Sequence, residues 1–168
     1  AAGFFLRGVK VVENRLNSKS NLTTLYNNLP PELERLLPGR RDDRVYRLKA
    51  FGGFCDIRPE GVDVDHGPDT DTIKRLIMSY ALHASEEPCH PTPFKAFREL
   101  PNSTPYVDQF TANAEQILND HISGIERHLE LVFNTFNGEL CPDIDGEDLS
   151  IIVRPLPKIK LCYNFYLA

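Results

Sequence analysis

The sequence predicts an α+β protein, a single domain with a helical core of three to five helices packed on a small antiparallel sheet of hairpins. Three observations carry this. Residues 71–84 set Ile73, Leu76, Ile77, Tyr80, Ala81 and Ala84 in one apolar stripe at helical spacing. Residues 45–57 read as a hairpin: Tyr46, Leu48 and Ala50 alternate with Arg47 and Lys49, Gly52-Gly53 supplies the turn, and residues 54–57 return. Leu149, Ile151 and Val153, then Ile159, Leu161, Tyr163 and Phe165, alternate again around Pro155-Leu156-Pro157. A chain of 168 residues fits one domain, 1–168, that buries roughly 70% of its unfolded surface. Within it, residues 1–44 form an N-terminal arm and short helices, and residues 45–168 an α+β body.

Taken in order, residues 3–16 lack a clean period and suit an extended arm or strand. Leu22, Leu25, Tyr26 and Leu29 then lie on one helical face behind Asn21, a fitting N-cap. Pro30-Pro31 must interrupt this helix, because proline lacks the amide donor and crowds the preceding turn. Pro31 opens a second short helix with Leu33, Leu36 and Leu37, closed by Pro38-Gly39. Residues 40–44, with three arginines and two aspartates, read as a mixed-charge loop whose charges largely cancel. The helix over 71–84 takes its cap from Asp69 or Asp71 and is predicted to be central and buried, with Leu76, Ile77 and Tyr80 meeting Phe110 and Phe133. Thr104-Pro105 opens a helix through Tyr106, Phe110, Ala114, Ile117 and Leu118. A second begins at Asp120, turns Ile122, Ile125, Leu129, Val132, Phe133 and Phe136 inward, and ends at Gly138. Gly124 inside it points to a close approach of another helix. The chain stops within its last strand, which predicts further residues after Ala168.

Composition excludes several classes. Lysine and arginine number 19 against 24 acidic residues, a net charge of −5, so no basic face for a nucleic-acid backbone is expected. Apolar residues make up 41% and charged residues 26%, ordinary globular proportions. No apolar run reaches the roughly 18–20 residues that cross a bilayer, and the start lacks a signal-peptide core; the chain is read as cytoplasmic, with no membrane and no nucleic-acid partner. Cys55, Cys89, Cys141 and Cys162 are dispersed, without a C-x-x-C pair, and suit separate thiols better than a disulfide framework or a structural zinc.

The candidate binding residues are Phe97, Arg98, Glu99, Tyr106 and Phe110. A Pro-bounded arginine among aromatic rings can take a carboxylate or phosphate bidentately, although a structural ion pair or turn anchor is the plainer role. The alternative metal set is Asp63, Asp65 and His66, with Asp69 and Asp71 in the same loop, together with Cys89 and His90; a solvated loop and a helix cap account for the acidic run equally well. Asp143, Asp145, Glu147 and Asp148 put glycine at the wrong offset for a calcium loop. His121 and His128, seven apart, flank an apolar stripe. There is no P-loop, dinucleotide fingerprint, nucleophile elbow or zinc quartet, so no catalytic residue and no cofactor can be named. Three functions fit: a ligand-binding or accessory protein, a metal-dependent enzyme using the 63–71 loop with Cys89 and His90, and a structural interaction partner.

Five blocks carry a resemblance: Leu76-Ile77-x-x-Tyr80-x-Leu82, Phe97-Arg98-Glu99-Leu100-Pro101, Tyr106 with Phe110, Gly138, and Arg154-Pro155-Leu156-Pro157-Lys158-Ile159-Lys160-Leu161. Over residues 46–168 the chain resembles a prokaryotic family of domains of unknown function, DUF3786, common in anaerobes. Its members often lie beside a four-cysteine iron–sulphur domain like that of corrinoid iron–sulphur proteins. They usually continue past the last strand into an acidic stretch. This chain departs from that arrangement in having no cysteine cluster. The resemblance implies an accessory or ligand-binding role in anaerobic metabolism, with a corrinoid or iron–sulphur protein as partner, and names no reaction.

Overall fold

The computed structural model describes the backbone of residues 2–5 and residues 24, 26–65, 70–86, 93–141 and 148–166 in full. The chain divides into two compact units: residues 10–88 with 156–158, and residues 1–9, 89–155 and 159–168. The α+β class holds, with the strands in two four-stranded antiparallel sheets rather than one.

In the first unit the sheet is a meander of β2 (Gly39–Asp42), β3 (Val45–Ala50), β4 (Gly53–Arg58) and β5 (Gly61–Val64), each strand paired with the next in the chain. The segment expected to be a mixed-charge loop is therefore mostly strand: Arg40 and Arg41 pair with Arg47 and Tyr46 of β3. Its polar sequence hid the strand, because β2 turns few side chains inward. The β3–β4 hairpin forms as expected, one residue earlier in its turn. Ala50 pairs with Gly53, so the two turn residues are Phe51 and Gly52, at φ 51° and 86°. Both lie in the left-handed region that a two-residue turn of this hand demands.

Tyr46, Leu48, Ala50, Cys55, Ile57 and Val62 are buried on one face of the meander. Helix α1 (Leu33–Leu36) packs there, as the Pro31 signal foretold. The Tyr46 hydroxyl donates to the Leu37 carbonyl at 2.8 Å and so closes the end of α1. Burial, with Glu34 nearby, pushes the phenol up to about 12, and it stays a donor at every physiological pH. Gly39 lies against this ring: a Cβ there would come within 2.5 Å of the Tyr46 hydroxyl and 2.7 Å of the Arg47 carbonyl.

Helix α2 (Asp71–Leu82) packs along β5. Thr70 caps it, its hydroxyl accepting from the Ile73 amide at 3.2 Å, where Asp71 or Asp69 was expected; Asp69 lies outside the described residues. Its buried side is Ile77, Met78 and Ala81. Leu76, expected to be buried, is 43% exposed, and Phe110 and Phe133 belong to the other unit. A stripe of apolar residues wider than the contact surface left the true centre undetermined. Lys158, in the turn after Leu156, ties back to this helix: its amide donates to the Tyr80 hydroxyl and its ammonium to the Ser85 carbonyl at 2.6 Å.

On the opposite face of the meander, Asp56 is only 7% exposed despite its charge. Arg47 grips it through two bonds of 2.6 and 2.8 Å, and Arg58 adds a third at 2.9 Å while also pairing with Asp63. The bonds from Arg47, ahead of the cost of burial, hold the Asp56 carboxyl below the usual carboxylate range.

In the second unit β1 (Ala2–Phe5), β8 (Ile159–Phe165), β7 (Leu149–Leu156) and β6 (Glu139–Leu140) form the sheet in that order. The arm expected at the N-terminus is thus, over residues 2–5, an edge strand on β8. The helix expected from Thr104 to Leu118 is interrupted: a 3₁₀ turn Thr104–Tyr106 leads into α3 (Val107–Phe110), a π-helical stretch Thr111–Glu115, and α4 (Gln116–Asn119). The next breaks at His128 into α5 (Ile122–Arg127) and α6 (Leu129–Phe136). Asn137, left-handed at φ 49°, ends α6 ahead of Gly138. A Cβ on Gly138 would stand 2.9 Å from the Ile152 carbonyl, so this glycine permits a close backbone approach. At Gly124, where the sequence pointed to such an approach, a Cβ would meet nothing within 4 Å beyond its own helix among the described residues.

Three outcomes follow. Gly39→Ala forces the Tyr46 ring and the β3 backbone apart and lowers the unfolding free energy by about 1–3 kcal/mol in urea titrations. Gly124→Ala, on an exposed helix face with open space, raises it by up to ~1 kcal/mol through helix propensity alone. Because the folded Asp56 carboxyl is depressed, its contribution is fully present above the unfolded value near ~4 and is lost as pH falls through the lower folded value. Asp56→Asn therefore costs about 1–3 kcal/mol at neutral pH, and the deficit narrows in melts taken at progressively lower pH, below the unfolded carboxylate value.

Candidate functional site

The sequence-predicted binding segment lies within the second unit and is built from two short turns. Phe97–Glu99 forms one 3₁₀ turn, opened by Ala96 in extended backbone. The Glu99 carboxylate reaches back to the Ala96 amide at 2.6 Å, half of a capping box that alanine cannot reciprocate. Pro101 and left-handed Asn102, at φ 62°, reverse the chain. Buried Ser103 then fixes the reversal: its hydroxyl donates to the Leu100 carbonyl at 2.8 Å, and its own carbonyl accepts from the Tyr106 amide at 2.8 Å. Pro105 sits in the first turn that follows, where its missing donor costs nothing.

This reversal brings Phe97 against Phe110, their rings parallel within 6° and their centroids 4.1 Å apart. Immediately after Phe110 the helix widens into its π-helical stretch, with the Thr111 hydroxyl donating to Glu115 at 2.9 Å. Insertions of this kind recur at functional sites, because they turn side chains out of the regular helical register. Both rings are partly exposed, and Tyr106 is 39% exposed. The Arg98 side chain is exposed and forms no hydrogen bond or ion pair among the described residues. Of the five residues chosen from the sequence, the fold thus stacks Phe97 on Phe110, leaves Arg98 and Tyr106 exposed beside the turns, and uses Glu99 as a local cap. Of the plainer roles, no Arg98–Glu99 ion pair forms among the described contacts, whereas Glu99 does anchor its turn through the Ala96 amide.

The metal alternative is divided. Asp63 is paired with Arg58, and an Asp65 carboxylate oxygen accepts from the Phe54 amide at 2.7 Å. His66, Cys89 and His90 lie outside the described residues, as do Asp143, Asp145 and Glu147. Among the described residues no group of three or more histidine, cysteine, aspartate or glutamate side chains is placed to hold a metal ion. His121 and His128 are both exposed, at the start and end of α5. Cys55 and Cys162 are buried, and burial pushes the Cys55 thiol up to about 12, which leaves it a poor nucleophile.

Sequence reasoning missed the Arg47–Asp56–Arg58–Asp63 network. A signal was available: Asp56 interrupts the apolar run of β4 between Cys55 and Ile57, opposite outward-facing Arg47. A charge in mid-strand beside a facing arginine marks a cross-strand pair.

No helix among the described residues is long and apolar enough to cross a membrane. No curated protein and no solved structure matches the chain significantly. The family model for DUF3786, a domain of unknown function, matches residues 30–168, taking in α1 and β2 as well as the blocks named above. The chain belongs to this DUF3786 family.

Proposed function

We propose that the protein binds a ligand and serves an accessory rather than a catalytic role, with the site at the Phe97–Phe110 stack and Arg98. The observation that carries this reading is the parallel ring pair at the start of a π-helical stretch, next to an exposed arginine with no partner among the described residues. Two locked rings give a flat apolar wall at little entropic cost, since each has already lost its rotamer freedom to the other. Arg98 adds a guanidinium whose planar fork suits a carboxylate or phosphate. Tyr106 adds a hydroxyl at the rim. A planar anion matches this set better than a neutral sugar does. The accessory role, beside a corrinoid or iron–sulphur protein of anaerobic metabolism, rests on the family resemblance.

The test is a thermal-shift series with benzoate, nicotinate, pyridoxal phosphate and hydroxocobalamin on the full chain, repeated for Arg98→Ala and Phe97→Leu. The expected result is a ligand-dependent rise in Tm that Arg98→Ala abolishes while changing the apo stability by less than about 0.5 kcal/mol. If Arg98→Ala unfolds the apo protein, or shifts persist unchanged in both variants, the site is wrongly placed.

A further inference from the structure

The outward face of the β2–β5 meander carries charge in a pattern that complements itself. Register puts Arg40, Arg47, Asp56 and Asp63 in one row across the four strands. Lys49 and Phe54 share the next row, with Asp65 just beyond β5. The β2–β3 half thus presents Arg40, Arg47 and Lys49, and the β4–β5 half presents Asp63 and Asp65, with Asp56 buried in the grip of Arg47 and Arg58. Arg40, Arg47, Lys49 and Asp63 are exposed, and Phe54 among them is 53% exposed. Inside one copy this layout leaves a defect. Arg40 stands directly opposite Arg47, a like-charge cross-strand pair, and Arg47 already spends its bidentate bond on Asp56.

We infer that this face is the interface of a homodimer in which a second copy supplies the missing opposite charge. A two-fold axis parallel to the strands and lying between β3 and β4 keeps every row in register. It sets β2 on the second copy's β5 and β3 on its β4. Arg40 then faces the second copy's Asp63, and Lys49 faces its Phe54 ring, a cation–π arrangement. In the remaining outward row the same operation sets Asp42 over the second copy's Gly61 and Val45 over its Arg58, so no like charges meet there. One axis therefore matches each half of the face, and a two-fold interface requires that self-complementarity. The contact is small and polar, so its dissociation constant falls on the order of 1–100 µM.

Sedimentation equilibrium of the full chain across that range tests the inference, with circular dichroism melts as the folding control. The parent is expected to dimerise, and Arg40→Asp to weaken the dimer at least about tenfold. Within one copy the same change sets an aspartate opposite Arg47, so its Tm does not fall below the parent's. Arg40→Lys keeps the dimer. Asp63→Arg alone weakens it, whereas an equal mixture of Arg40→Asp and Asp63→Arg chains forms a heterodimer as tight as the parent, because both crossed contacts regain opposite charges. A parent that stays monomeric overturns the proposal, as does a dimer indifferent to Arg40→Asp or a mixture that fails to recover. Should Asp63→Arg not fold, the contrast between Arg40→Asp and Arg40→Lys decides alone.

Discussion

The meander unit depends on one buried hydroxyl. Tyr46 is fully enclosed, and a phenol in an apolar interior must find an acceptor or forfeit the interactions it had with water. The Leu37 carbonyl is one of the acceptors a helix end leaves without an internal partner, so one bond resolves both deficits. That bond fixes where α1 sits on the sheet. It also dictates the residue at position 39, because the ring lies where any side chain on β2 would go. With β2 held against the ring, its register on β3 follows, and so do the positions of Arg40 and Arg41. The Glu34 carboxylate takes up the Arg41 amide at 2.6 Å and leaves this edge strand one fewer open donor.

The second unit meets its constraints at the backbone. Gly138 lets the chain leaving α6 pass within reach of β7, and Arg154 fastens the crossing, its guanidinium donating to the Asn137 carbonyl and to Glu139, each at 2.5 Å. The bond from Arg154 holds the Glu139 carboxyl below its ordinary range, although Glu139 itself is exposed. Arg154-Pro155-Leu156-Pro157-Lys158, a block that carried the family resemblance, thus has structural duties at both ends: Arg154 secures a helix terminus and Lys158 binds Tyr80 and Ser85. A block can be distinctive without touching a ligand.

The segment from Phe97 to Phe110 differs in kind. Its turns are fastened by the hydrogen bonds of Glu99 and Ser103 and by left-handed Asn102, and the reversal they make holds Phe97 in its stack on Phe110.

The sequence by itself determined the α+β class, the β3–β4 and β7–β8 hairpins, helix α2 and the short Pro31 helix. Each of these rests on local periodicity or on proline and glycine chemistry, which operate within a few residues. Tertiary structure alone decided the rest. Strand β2 was illegible because its partner, not its own polar residues, makes it a strand. Leu76 and Ile77 are neighbours on one stripe, and only the placement of β5 chose between them. The reasons for Gly39 and Gly138 lie in residues brought close by folding, Tyr46 in one case and Ile152 in the other, while Gly124 has no such neighbour. The stack of Phe97 on Phe110 likewise needed the reversal at Asn102 and Ser103, and the charge row from Arg40 to Asp63 needed the register of four strands. Periodicity reports which side chains share a face; contacts between faces come from the fold.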